Sequence, residues 1–432
     1  MFGLLVGIGS LIALVQADQL RVGNGGFMFG SQQVFLSGAN QAWIDYGNDF
    51  GNNQTNAKYC ELRSYVHNVS AAGGNTIRMW LFVEGQQIPL FSKNGMVIAT
   101  DSADSLIPDL LKYIRYAASQ NVFVNLVLWN GAVLRNQNVV NFFSDSSKLG
   151  SFVDKVLTPM MQAIGSEPGL GAIEIMNEPE GSLQLESDPS NPCFDSEPVL
   201  KNTGAGWNGH LFTMKQLLTF VNVQAAAIHQ ASPNTLVTLG SWSVYPSTSA
   251  FPPFQSKGFF NFYTDACLRQ AGGQDQGHLD FYQVHTYPAK APAEGGDFDP
   301  FSRTALEYKL DKPLVIGEFA DYDCSKAGCT PQAMSTWAFN GKYNGAWYWA
   351  LNDDSHQGQA AAAAGMAALS KLAPGSVHVD IGGKDPGDTC SCSDVPPPGQ
   401  YTCEQQAGWG KCGESFMKGF CCRSCHACVG CQ

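Results

Sequence analysis

Eight short apolar runs recur along the chain, with longer helical stretches between them. "VFLSGAN" ends at Asn40, "NTIRMWLF" spans 75–82, "VFVNLVLW" ends at Trp129 and "GAIEIMNEP" ends at Pro179. "TLVTLGSW" (235–242), "LDFYQVHTY" (279–287), "PLVIGEFA" (313–320) and "GAWYWALN" (345–352) complete the set. Most are rich in Val, Ile, Leu and aromatic residues, as strands buried on both faces are. Between them, "SLIPDLLKYIRYAASQ" (105–120) and "MKQLLTFVNVQAAAIHQ" (214–230) repeat apolar residues at helical spacing. Buried strands alternating with helices predict an α/β fold, a (β/α)8 TIM barrel over residues 18–374. The alternative, a doubly wound open sheet, brings a glycine-rich phosphate turn after its first strand. "SGANQAWIDYGNDFGNN" supplies none.

After about residue 374 the pattern stops. Residues 375–400 contain "GGKDPGDTCSCSDVPPPGQ" and read as a linker, and residues 401–432 form a cysteine-rich module. Nine of the 14 cysteines lie between Cys390 and Cys431, a density that points to disulfides in a segment too short for a hydrophobic core. The C-x-x-C steps from Cys422 to Cys431 also have metal-ligand spacing. Disulfides are the reading that agrees with the other end of the chain, where residues 1–17 resemble a secretory signal peptide with cleavage after Ala17. Both cysteine groups, five before the tail and nine within it, are odd in number. Either one bridge joins the parts or each keeps a thiol.

Charge narrows the class of partner. Lys+Arg 25 against Asp+Glu 37 gives −12 with no basic block, which argues against nucleic acid and anionic membrane surfaces. The expectation is a secreted, extracellular monomer acting on a neutral or cationic ligand, without membrane attachment once the signal is removed.

The chemistry sits at the strand ends. "EIMNEPEG" (174–181) offers Glu174 and Glu178, which share parity but stand about 13 Å apart along a strand. Glu174 is then deep and held by internal partners, and Glu178 is at the rim. "VIGEFA" brings Glu318 to the end of the seventh run, opposite the fourth in an eight-stranded barrel. Two rim glutamates over one pocket are equipment for cleaving a glycosidic bond. Glu84, Asp280, Asp321, Asp353 and Asp354 also lie near strand ends, so spacing alone does not select the pair. Arg78 supplies a fixed cation for a neighbouring carboxylate. His285 and Tyr287 share parity on the sixth strand and are placed to orient Glu318. Trp349, Trp129, Trp242 and Tyr245 are candidates for stacking on sugar faces.

"NTIRMW", "EIMNEP", "QVHTY", "VIGEF" and "WYWAL", in that order, resemble glycoside hydrolase family 5 over roughly residues 25–370. The resemblance implies a retaining barrel enzyme acting on β-linked polysaccharide, with Glu178 as acid/base and Glu318 as nucleophile. It implies a supporting, substrate-contacting shell of Arg78, Asn177, His285, Tyr287 and Trp349, with Asn177 on the sugar 2-hydroxyl. Many members carry a histidine at the end of the third strand; here Trp129 and Asn130 stand instead. Within the family the pattern is most similar to the secreted β-mannanases of invertebrates. An endo-β-1,4-mannanase without cofactor or metal is therefore the expectation, with an endo-β-1,4-glucanase, acting on cellulose, as the alternative. The tail is similar to small carbohydrate-binding modules, with Trp409, Phe416 and Phe420 as its candidate platform.

Overall fold

The computed structural model describes residues 18–254, 256–287, 296–322, 329–387, 396–397, 399, 401–414, 417 and 421. The signal-like segment, Phe416, Phe420 and much of the cysteine-rich tail lie outside them. Among the described residues no helix is long and apolar enough to cross a membrane.

Eight parallel strands close into a barrel. They are β1 (Leu36–Asn40), β2 (Thr76–Val83), β3 (Phe123–Asn130) and β4 (Leu170–Asn177), followed by β5 (Val237–Ser241), β6 (Tyr282–Thr286), β7 (Leu314–Phe319) and β8 (Gly345–Tyr348). Each pairs with the next, and β8 pairs with β1. Every residue of every barrel strand is buried, which is why the sequence shows apolar runs. Helix Leu106–Ser119 lays Leu106, Leu110, Tyr113, Ile114 and Ala117 against the barrel at helical spacing. Helix Met214–Ala231 starts on a capping box, with the Thr213 hydroxyl on the Gln216 backbone and the Gln216 amide on the Thr213 backbone.

Simple alternation fails near the rim. Trp80, Val83 and Val127 cluster with Ala42, Asn177 hydrogen-bonds Asn130, and Arg78 holds both Glu174 and Asn177, so the inward positions of β2, β3 and β4 step by three in place of two. The step in β2 coincides with a register shift against β3. That step decides which side chains reach the pocket.

The opposite end of the barrel is sealed. Strands Leu20–Gly23, Gly26–Phe29 and Gln32–Val34 form an antiparallel sheet beneath it. Phe27 and Phe29 pack there with Phe281 and Phe123 from the strand starts, with Trp347 of β8, and with Val379 and Ile381. Val379 and Ile381 fall inside the stretch read as linker, so the barrel domain extends further than its composition implies. The Asn75 amide donates to the Val377 carbonyl at 2.8 Å, the Ile381 N–H donates to Asn121 at 2.9 Å, and Arg63 pairs with Asp385 at 2.8 Å. The alternating "VHVDI" at 377–381 was the signal, masked by the glycines and aspartates that follow.

Cys193 and Cys267 form a disulfide, and so do Cys403 and Cys421; among the described residues no cysteine is free. In the described part of the tail, Cys403, Met417 and Cys421 make a small buried cluster, while Trp409 and Tyr401 are exposed and meet edge-on at 4.9 Å.

Val377, Val379 and Ile381 are each at most 5% exposed, and burying such side chains stabilises by about 1.5–3 kcal/mol apiece. A chain ending at Gly387 should therefore unfold close to the temperature of the full chain. One ending at Pro374 should unfold well below it. Differential scanning calorimetry of the two separates these outcomes.

Candidate active site

Arg78 sits on β2 with no exposed surface, and all five of its N–H donors are used. Nε and Nη2 grip Glu174 at 2.8 and 2.6 Å. Nη2 also donates to Asn177 Oδ1 at 2.8 Å, and Nη1 donates to Asn40 Oδ1 at 2.8 Å and Glu318 Oε1 at 2.6 Å. Burial works against the charge, but attraction to Glu174 and Glu318 overcomes it and raises the guanidinium pKa. Glu174 takes a further hydrogen bond from Asn125 at 3.1 Å and is fully buried, as its depth on the strand predicted.

Glu318 is the penultimate residue of β7, its second oxygen accepting from the Tyr287 hydroxyl at 2.7 Å. Burial pushes its pKa up, against the pull of His285, Arg78 and the Tyr287 hydrogen bond. Glu178 follows the last residue of β4 in a left-handed conformation (φ 41°, ψ 56°), with its N–H donating to the Gly240 carbonyl at 2.6 Å. That conformation costs an L-residue about 1–2 kcal/mol. Its carboxylate meets His285 Nδ1 at 2.9 Å, and the same nitrogen lies 3.6 Å from Glu318. His285 was expected to orient Glu318; its nearer partner is Glu178. Burial holds the imidazole neutral, with its pKa down at about 4. One carboxylate oxygen of Glu178 and one of Glu318 lie within 4.8 Å of each other.

Strand β5 makes room for this group with Gly240. A Cβ there would stand 2.3 Å from Glu174 Oε1 and about 3 Å from Gln283 Nε2 and His285 Nε2.

A cleft of about 570 Å³ opens above the carboxylates. One wall is aromatic: Trp43, Trp80 and Trp349 lie with ring centres 5.2–6.2 Å apart. The other carries Trp242 and the half-exposed Trp207, 5.9 Å apart. Asn177 lies at the floor, its amide donating to Asn130 at 3.1 Å with a second N–H left over. Asn130 in turn donates to the Tyr46 hydroxyl at 3.1 Å, which donates to Glu84 at 2.8 Å.

Trp129 is a correction. It has no exposed surface, its indole N–H donates to Gln224 at 3.0 Å, and its ring stacks on Phe82 at 5.1 Å in the layer between barrel and helices. Alternation would have turned it inward with Val127; the three-residue step turns Asn130 inward instead. Tyr245 is likewise buried, against Phe259. Trp242, Trp349, Asn177 and Tyr287 do line the cleft, with both glutamates. Trp43, Trp80, Tyr46 and Trp207 were missed as cleft residues. Trp80 was within reach, because it closes the quoted "NTIRMW"; the others stand on loops with no periodic signal.

A closed parallel barrel with paired glutamates at the ends of its fourth and seventh strands, under aromatic walls, defines a glycoside hydrolase. No protein-family model matches the chain. A mannan endo-1,4-beta-mannosidase of Cryptopygus antarcticus is 44% identical over 340 residues, 78% of this chain and 85% of that one. Another, of Mytilus edulis, is 39% identical over 343 residues, 79% of this chain and 90% of that one. The crystal structure of the Cryptopygus antarcticus β-1,4-D-mannanase matches with a TM-score of 0.79 at 42% identity, covering 84% of this chain and 100% of that one. The chain belongs to the mannan endo-1,4-β-mannosidase family.

Two residues beyond Glu178, Glu180 is fully buried and ties the cleft's loops together. Its Oε1 accepts from the Tyr263 hydroxyl and, at 2.8 Å, from the Ser241 hydroxyl; its Oε2 accepts from the Trp242 N–H at 3.3 Å. Burial raises its pKa to about 7, against those hydrogen bonds. Unfolded, the group ionises near the ordinary glutamate value; folded, it keeps its proton to about 7. Its favourable contribution is complete at low pH and is lost as pH rises through that window, a change on the order of 3 kcal/mol. Glu180→Gln removes the titration. The melting temperature of the variant relative to wild type should therefore climb between pH 5 and pH 8, as checked by thermal scans across that range. A constant offset would remove Glu180 from the pH dependence.

Proposed function

We propose that the protein is a secreted, retaining endo-β-1,4-mannanase. The proximity of the two glutamates carries the mechanism. Carboxyl groups stand about 5–5.5 Å apart in retaining glycosidases and about 6.5–9.5 Å in inverting ones. Oxygens within 4.8 Å of each other suit the first. The names of the relatives carry the substrate.

Glu318, gripped by Arg78 and Tyr287, attacks the anomeric carbon as a carboxylate while Glu178 gives its proton to the departing glycosidic oxygen. The glycosyl ester on Glu318 is then hydrolysed by water, whose proton returns to Glu178. Neutral His285 hydrogen-bonds Glu178 without adding a fixed charge. The spare N–H of Asn177 serves the sugar 2-hydroxyl, a contact that strengthens in the transition state. Trp349 and Trp242, from opposite walls, hold sugar faces on either side. The chain is read as a monomer that enters the secretory route through residues 1–17. The tail is read as a carbohydrate-binding module, supported by the exposed Trp409 and Tyr401 rings.

Wild type should hydrolyse soluble mannan faster than carboxymethyl-cellulose and release β-anomeric product in its first turnovers, followed by NMR. Glu318→Gln should fold and lose nearly all turnover. Early α-product overturns retention, and faster cleavage of the cellulose derivative makes the protein a glucanase.

The tail is tested separately. A chain ending at Gly387 should keep its activity on soluble mannan oligosaccharides and lose its pull-down on insoluble mannan or cellulose, because a tethered module raises local concentration without touching chemistry. Unchanged pull-down removes the binding assignment.

A further inference from the structure

At the far end of the barrel from the carboxylate pair, His229, His278 and Asp280 converge. We propose that these three side chains form a zinc site that pins helix Met214–Ala231 to the starts of β5 and β6. His229 lies in the last turn of that helix, and the other two residues lie in the segment entering β6. One ligand atom from each lies within 4.8 Å of the others. His229 Nε2 is 3.0 Å from Asp280 Oδ2, and His278 Nε2 is 3.8 Å from Asp280 Oδ1. Zinc bonds of about 2.0–2.1 Å in a tetrahedron give ligand–ligand edges of about 3.3–3.4 Å. The two separations, each to a different oxygen of Asp280, fall on either side of that length.

The surroundings already orient the ligands. His229 Nδ1 stands 2.7 Å from the Gln276 carbonyl, which only accepts, so Nδ1 carries a hydrogen; Nε2, which faces Asp280 Oδ2 at 3.0 Å, is the nitrogen a zinc ion would take in place of the proton shared with that carboxylate. A backbone carbonyl on the distal ring nitrogen is the usual support of a metal-bound histidine. Asp280 is fixed from both sides, its Oδ2 accepting from the Val237 N–H at 2.7 Å and its own N–H donating to the Val237 carbonyl at 2.8 Å. The nearby Lys312 ammonium is engaged by Asp265 and the Leu279 carbonyl. His278 stacks on His229 at 4.5 Å and is 34% exposed on its side chain, so it is the ligand that swings in. Two imidazoles and a carboxylate suit zinc and leave a fourth position to water. The site lies outside the cleft and takes no part in bond cleavage.

Full-length protein freed of metal with a chelator is titrated with zinc chloride by calorimetry, beside His278→Ala, His278→Gln and Glu318→Gln. Circular dichroism checks the fold of each. Wild type and Glu318→Gln should bind one zinc per chain with equal affinity, and both His278 variants should bind at least about tenfold more weakly. Zinc should raise the melting temperature of wild type and not of the His278 variants. Cobalt should give a visible absorption band in wild type and Glu318→Gln but not in the His278 variants, and mannan hydrolysis should be the same in the His278 variants as in wild type. Three results overturn the site: no zinc bound by wild type, equal binding by the His278 variants, or loss of binding in Glu318→Gln, which places the ion among the catalytic carboxylates.

Discussion

A guanidinium stripped of water sets the geometry at the catalytic end of this barrel. Arg78 spends every donor on side chains from β1, β4 and β7, so one planar group fixes the relative position of strands that are not neighbours in the sheet. Partner removal at such a buried pair destabilises by about 3–5 kcal/mol, because the orphaned charge stays behind. Glu174 supplies the compensating charge that lets Arg78 exist there. Glu318 can then be held by the remaining donor without carrying the whole burden of neutralisation. A lysine, with one point charge and three donors, could not reproduce the fork.

The carboxylates differ because their neighbours differ. Glu318 has a cation and a phenol hydroxyl on its oxygens; Glu178 has a neutral imidazole and an opening to the cleft. The first set favours a standing negative charge. Both sets grow from β2 and β6, strands that carry no catalytic carboxylate themselves.

The strands, their order and the two rim glutamates were legible because buried parallel strands write themselves as apolar runs, and each glutamate closes one of them. Arg78 was legible as a lone cation inside such a run. The direction of side chains near the rim was not: the step from Val127 to Asn130 departs from strict alternation, and Trp129, offered as a stacking residue from its place at a strand end, turns into the layer between barrel and helices. Loop aromatics such as Trp207 were invisible for another reason, since only packing of long connections brings them to the cleft. The end of the domain was misjudged because three buried aliphatic residues were outweighed by the glycine-rich stretch around them.

The Cys193–Cys267 bridge closes 74 residues of chain and staples the loop after β4, which carries Trp207, to the helix Asp265–Gly272 between β5 and β6. Glu180 makes the same connection from beneath by hydrogen bonds. One cleft wall is therefore shaped by covalent chemistry outside the barrel, while the carboxylate pair is shaped by charge within it. Grip and cutting therefore answer to different chemistry: redox conditions bear on the bridge beside the trough, and charge pairing bears on the cutting edge.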